Sequence, residues 1–163
     1  MKFKKFILAI FAFLMLSISA SAQKPFVYKD GNKTGTFTAT QLKDGVFGGL
    51  ITNIKQLNAQ LPIQIDDFTE MYSAVLNGTT INYNYTAYID SSLLSDADIK
   101  EFCDEIKAVQ KENLKFLFKQ NSDKMPVSEW IRLYRALGIK YHYNYIDANR
   151  KAFAKIVIDL SDM

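Results

Sequence analysis

The stretch Gly138-Ile-Lys-Tyr-His-Tyr-Asn-Tyr-Ile146 decides how this chain is read. Ile139, Tyr141, Tyr143 and Tyr145 alternate with Lys140, His142 and Asn144. A period of two over this length predicts a strand with one face buried and the other wet. The same pattern occurs earlier as Ile81-Asn-Tyr83-Asn-Tyr85. Together the two segments predict one sheet with a tyrosine-rich inner face.

Each of these strands has a hairpin neighbour. Asn77-Gly78 reads as a two-residue type I′ turn, which sets Leu76 opposite Thr79 and Tyr72 opposite Tyr83. Phe68, Tyr72, Ala74 and Leu76 then share the inner face with Ile81, Tyr83, Tyr85 and Ala87. Thr69, Met71, Ser73 and Val75 lie outside, beside Thr80, Asn82, Asn84 and Thr86. Glu70 falls on the inner side opposite Tyr85, where a carboxylate needs the sheet edge or a tyrosine hydroxyl. Downstream, the turn 147–150 leads into a last strand from Lys151 to about Asp159. Pairing Ile146 with Lys151 puts Tyr145 opposite Ala152, Tyr143 opposite Ala154 and Tyr141 opposite Ile156.

Helical spacing fills the rest. Leu42, Val46, Leu50, Ile54 and Leu57 recur at steps of three and four, predicting a helix over about 40–60 capped by Thr38 or Thr40. Gly45, Gly48 and Gly49 lie within it. They imply either very close packing or a break into two short helices. Pro62 ends this segment, and Ile63 to Ile65 lead into the first predicted strand. Ser95 and Asp98 have capping-box spacing ahead of a long helix, with Phe102, Cys103 and Ile106 inward. Pro126 opens a shorter helix with Trp130, Ile131 and Tyr134 inward, and Gly138 is placed to end it. Residues 23–40 form a loose arm or a small hairpin.

The order helix, hairpin, long helix, short helix, hairpin predicts an α+β domain over 41–163. Its core is a four-stranded antiparallel sheet, with helices packed on one face and the other face open. Element order and the paired strands Ile81-x-Tyr83-x-Tyr85 and Ile139-x-Tyr141-x-Tyr143 resemble the tandem helix-strand-strand arrangement of beta-lactamase inhibitor proteins. They are similar, more loosely, to cystatin-like domains and to small exported bacterial proteins with Tyr-x-Tyr hairpins. The resemblance implies binding or inhibition and transfers no functional residue.

Residues 1–22 have the layout of a secretory signal: Lys2, Lys4 and Lys5, an apolar run from Phe6 to about Ser19, then Ala20-Ser21-Ala22 before Gln23. The apolar run is shorter than a spanning helix needs. Cleavage near Ala22 predicts export to the periplasm or the exterior. The whole chain carries 20 basic and 17 acidic residues. Without the three leader lysines the balance is even, so the electrostatic footprint of a nucleic-acid binder is missing. A polybasic membrane segment is missing too. With a single cysteine, Cys103, the chain has no internal disulfide, and stability rests on the core.

Candidate chemistry is sparse. Cys103, His142 and Asn144 are the residue types of a nucleophile, base and orienter. Cys103, however, lies on an apolar stripe well inside its helix, where thiols are not activated. His142 is the only histidine, so the usual zinc ligand sets cannot form. No catalytic residue, metal or cofactor is assigned. The predicted outer sheet face is more informative. It carries Asn82, Asn84, Lys140, His142 and Asn144 together with Met71, Val75, Tyr88, Phe153 and Val157. Aromatic, aliphatic and amide groups mixed in this way suit a protein or peptide interface. The residues read as binding are Met71, Asn82, Asn84, Tyr88, Lys140, His142, Asn144 and Phe153. The function read from them is an exported, non-enzymatic binding or inhibitor-like module. The alternatives are a small exported hydrolase with unrecognised catalytic groups and an envelope subunit that forms a homodimer.

Overall fold

The computed structural model describes residues 25–163. The secretory leader read at 1–22 lies outside them. The chain runs β1 (Phe26–Asp30), β2 (Lys33–Phe37), α1 (Ala39–Asn58), β3 (Ile63–Asp66), β4 (Thr69–Asn77) and β5 (Thr80–Ala87). It continues through α2 (Asp96–Gln120), α3 (Val127–Ala136), β6 (Lys140–Ile146) and β7 (Ala152–Asp159). The α+β class and the helices' placement on one face agree with the sequence reading. The sheet itself does not. It has five strands in the order β3-β4-β5-β6-β7, and β5 and β6 are parallel. The expected four-stranded antiparallel sheet is thereby corrected in two ways. β3 is a strand in its own right, too short at four residues for its periodicity to be legible. The two tyrosine strands run side by side because residues 88–139 carry the chain over the sheet and back to its starting end. Parallel neighbours require a crossover of that kind.

Local chemistry sets the helix boundaries. Thr38 caps α1 in a reciprocal box with Gln41: its Oγ1 accepts from the Gln41 N–H at 3.2 Å, and Gln41 Oε1 accepts from the Thr38 N–H at 2.8 Å. The helix continues unbroken through its glycines, and around Gly48 an added Cβ would meet open space. Close packing therefore does not account for Gly48. Ser95 and Asp98 form the expected capping box of α2. At the end of α3, Gly138 adopts a φ of 69°. Its N–H reaches the Arg135 carbonyl at 3.0 Å, while the Ile139 N–H reaches that of Tyr134 at 3.0 Å. These two bonds are a Schellman closure, and the left-handed φ explains why glycine stands there.

α1 lies against β4 and α2 against β7, with α3 packed beside α2. Beneath them, in-register parallel pairing puts Tyr83 next to Tyr143 and Tyr85 next to Tyr145. Their rings stack at centroid distances of 5.4 and 4.7 Å. Such pairs add roughly 0.5–1.5 kcal/mol each beyond the area they bury. Residues 26–37 form a hairpin that folds back on the helices. The Lys29 N–H donates to the Lys124 carbonyl at 2.9 Å, and the Arg132 guanidinium sits 3.7 Å from the centre of the buried Phe26 ring.

Two β-bulges, together with the turns next to them, change the expected register. In β4 the irregularity falls between Met71 and Ser73, so Met71 pairs with Tyr85 while Ala74 pairs with Tyr83. The extra residue, Tyr72, lets Met71 and Ala74 both point inward three residues apart, and it turns Glu70 outward beside Thr86. Tyr72 is therefore not opposite Tyr83, and Glu70 is not on the inner face. The turn also shifts. Asn77 pairs with Thr80, leaving Gly78 and Thr79 as the central residues, with Gly78 at φ 59°. Positive φ at the first central position alone is the type II′ pattern, not I′. In β7 the irregularity falls at Phe153, so Tyr145 pairs with Ala154, Tyr143 with Ile156 and Tyr141 with Ile158. Each partner lies two residues further along than expected, one step from the turn, where Ile146 pairs with Ala152 and not Lys151, and one from the bulge.

Candidate binding face

Alternation in β4 to β7 leaves one sheet face without a helix over it. Among the described residues, α1 and α2 pack on the opposite side, and the β1–β2 hairpin is tied to α3 and the loop before it. The open face is ordered in rows across the strands. One row runs Val75, Asn82, His142, Val157; the next runs Ser73, Asn84, Asn144, Lys155.

Neighbouring strands stand about 4.8 Å apart, which lets in-register amides bond to one another. Asn144 Nδ2 donates to Asn84 Oδ1 at 2.9 Å, and Asn84 Nδ2 donates to Ser73 Oγ at 2.8 Å. The result is a directional row of polar side chains across three strands, with Lys155 beyond its end. Ser73 belongs to this row although the sequence did not single it out. Its pairing with Asn84 follows from the turn at Gly78 and Thr79, one residue along from the Asn77-Gly78 turn that the sequence implied, which sets the register of this part of β4.

Around the row stand Val75, half exposed, with Tyr72 and Val157 also open to solvent. At one corner stands Tyr88, 49% exposed, beside the Glu70 carboxylate. The phenol is raised above its ordinary value by what burial it has and by that carboxylate. At the diagonal corner Lys140 and Asp159 form an ion pair at 2.9 Å. Its exposure makes it worth little to stability. The two caps from Ser161 and the Lys140 ammonium hold Asp159 well below the usual carboxylate range. His142 is lowered from its ordinary value by partial burial and then by Lys155 and Lys140. At neutral pH it is therefore an uncharged imidazole, able both to donate and to accept.

Of the eight residues read as binding, six lie on this face or its margin: Asn82, Asn84, Tyr88, Lys140, His142 and Asn144. Two do not. Met71 is buried and points under the helices as a consequence of the β4 bulge. Phe153 sits in the β7 bulge, half-buried, with its ring 5.7 Å from Phe102 of α2 and 6.3 Å from Tyr145. Both are core residues, and their assignment to the outer face is corrected.

Cys103 and His142 stand on opposite sides of the sheet. Burial, with Asp104 adding to it, raises the Cys103 thiol, which is the wrong direction for a nucleophile. Among the described residues no group of His, Cys, Asp and Glu is arranged to hold a metal ion. A cavity lined by Leu117, Phe118, Trp130, Tyr134 and Tyr141 has room for about one water, far below the size of a substrate pocket. Among the described residues no helix is long and apolar enough to cross a membrane.

No family model and no curated protein matches this chain. Three solved structures are similar to it. A candidate secreted protein from Pseudomonas aeruginosa shares 11% identity at a TM-score of 0.39, over 68% of this chain and 85% of that one. The type II secretion system pilotin AspS from Vibrio cholerae shares 13% identity at a TM-score of 0.40, over 69% and 86%. The type 2 secretion system pilotin EpsS from Vibrio vulnificus shares 11% identity at 0.38, over 68% and 84%. Likeness this distant assigns no residue and no partner to this chain.

Proposed function

We propose that this chain is an exported, non-enzymatic binding module that holds a protein or peptide on the open sheet face. The observation that carries the reading is the amide row Ser73–Asn84–Asn144, bordered by exposed Val75 and Tyr72, on a face with no described element packed over it. The hydrogen bonds within the row fix its side chains in advance, so a partner meets oriented polar groups at low ordering cost. Val75 and Tyr72 supply apolar area beside them, the combination that specific interfaces use. Export rests on the leader pattern at residues 1–22.

Site-specific photocrosslinking in the native cell tests this. A crosslinker at Asn84 or Val75 is expected to yield one discrete adduct. The same probe at Lys115, on the exposed side of α2, is expected to yield none. Val75→Asp should abolish the Asn84 adduct while leaving the circular dichroism spectrum unchanged. Equal labelling from both sides of the molecule, or an adduct indifferent to Val75→Asp, would sink the reading.

A further inference from the structure

β7 is the last strand of the sheet. One of its edges is bonded to β6, and among the described residues no strand pairs with the other. A free edge of this length is a template for another chain, and soluble proteins usually blunt it. The far side of this sheet is blunted: β3 is only four residues long, and the Asn58 side chain occupies β4 at Ala74. β7 has eight residues, regular after the bulge at Phe153.

Residues 155–159 read Lys-Ile-Val-Ile-Asp. The order of apolar residues is the same in both directions, and the terminal charges are opposite. An antiparallel copy therefore meets its own complement. Pairing about a two-fold axis at Val157 sets Lys155 against Asp159 of the second copy, Ile156 against its Ile158, and Val157 against its Val157. Opposite charges directly across an antiparallel pair are favourable, and like charges are not. Centring the axis on Lys155 would oppose two lysines, and centring it on Ile156 or Ile158 would leave Lys155 facing Val157 or Ser161. An axis between residues would pair inner-face with outer-face side chains.

We propose that two copies of this chain join through their β7 edges in the register centred on Val157. The partner is thus a second copy, and the interface is isologous. The axis is normal to the sheet, so the two five-stranded sheets become one, with all helices on one side. The two open faces then form a single continuous surface. The pairing stands independently of what binds that surface, and its test reads Lys155 and Val157, with Val75 only as a control position.

Sedimentation equilibrium of the purified chain is expected to show a monomer–dimer equilibrium that Lys155→Glu weakens tenfold or more, by setting a carboxylate against Asp159 of the second copy. Lys155→Gln should weaken it less. In a Cys103→Ser background, Val157→Cys should form a disulfide-linked dimer under mild oxidation, because directly opposed Cα atoms about 4.5–5.5 Å apart lie within disulfide reach. Val75→Cys, on the same face but on β4, should not. A monomer at every concentration would overturn the proposal. So would a dimer untouched by Lys155→Glu. Crosslinking at position 157 no faster than at 75 would overturn the register.

Discussion

The carboxamide of Asn58 pairs with both backbone groups of Ala74: Nδ2 donates to the carbonyl at 2.7 Å, and Oδ1 accepts from the N–H at 2.9 Å. One side chain at the end of α1 thus does what a peptide group of a neighbouring strand would do, at a point beyond the reach of β3. It ties the helix to the sheet and closes part of the β4 edge. Asn58→Ala should cost about 1–2 kcal/mol, the net worth of two hydrogen bonds at a wet edge. Urea denaturation measures it. A change within error would mean that water replaces the amide at no loss.

Asn53 presents the opposite case. It is 2% exposed on the inner side of α1, and among the described residues neither its Oδ1 nor its Nδ2 has a hydrogen-bond partner. A buried amide left unpaired costs roughly 1–3 kcal/mol, which an apolar residue of similar shape recovers. Asn53→Leu should therefore raise the urea midpoint with the m-value unchanged. A fall in the midpoint would show that the amide is satisfied in solution, for example by an enclosed water.

Acid should unfold the protein through a small set of carboxylates. Asp147, buried in the turn between β6 and β7, accepts from Ser91 Oγ at 2.6 Å, from the Asn149 N–H at 2.8 Å and from the Lys151 N–H at 2.9 Å. The Ser91 hydroxyl first, and then the backbone donors, hold it below the ordinary carboxylate range. Asp159 is lowered in the same direction. Stability from a depressed carboxylate is complete above its unfolded value of about 3.9 and is lost as pH falls through the lower folded value. Melting temperature should hold at mildly acidic pH and drop below about pH 4. Asp147→Asn should lower it at neutral pH and flatten the acid limb. An unchanged acid limb would remove Asp147 from this role.

At alkaline pH the tyrosine rows act in the reverse sense. Burial raises Tyr83, Tyr134, Tyr141, Tyr143 and Tyr85 above the ordinary phenol value, with neighbouring tyrosines adding to it for all but Tyr83. A group raised in the folded state lends stability that is complete below its unfolded value of about 10 and is lost as pH climbs toward the folded one. The ultraviolet phenolate signal should therefore rise in a late step that coincides with loss of circular dichroism. Gradual ionisation of all tyrosines near pH 10, with the fold intact, would contradict their burial.

Much of this molecule was legible in the order of its residues. Period-two alternation identified β5 and β6 and assigned Asn82, Asn84, Lys140, His142 and Asn144 to one face, because strand geometry fixes which side successive residues take. Capping chemistry at Thr38, Ser95 and Gly138 marked helix ends, because those bonds are made within a few residues. Long-range pairing decided the rest. Whether β5 and β6 run parallel, and whether an extra residue bulges at Tyr72 or Phe153, depends on what the helices need beneath them. Met71 against Tyr85 and Phe153 against Phe102 satisfy that need by breaking the local period. The bulge takes Met71 from the open face, while the turn at Gly78 and Thr79 puts Ser73 beside Asn84 and completes the amide row. A sequence records which side chains alternate, but only the packed sheet determines where the alternation slips.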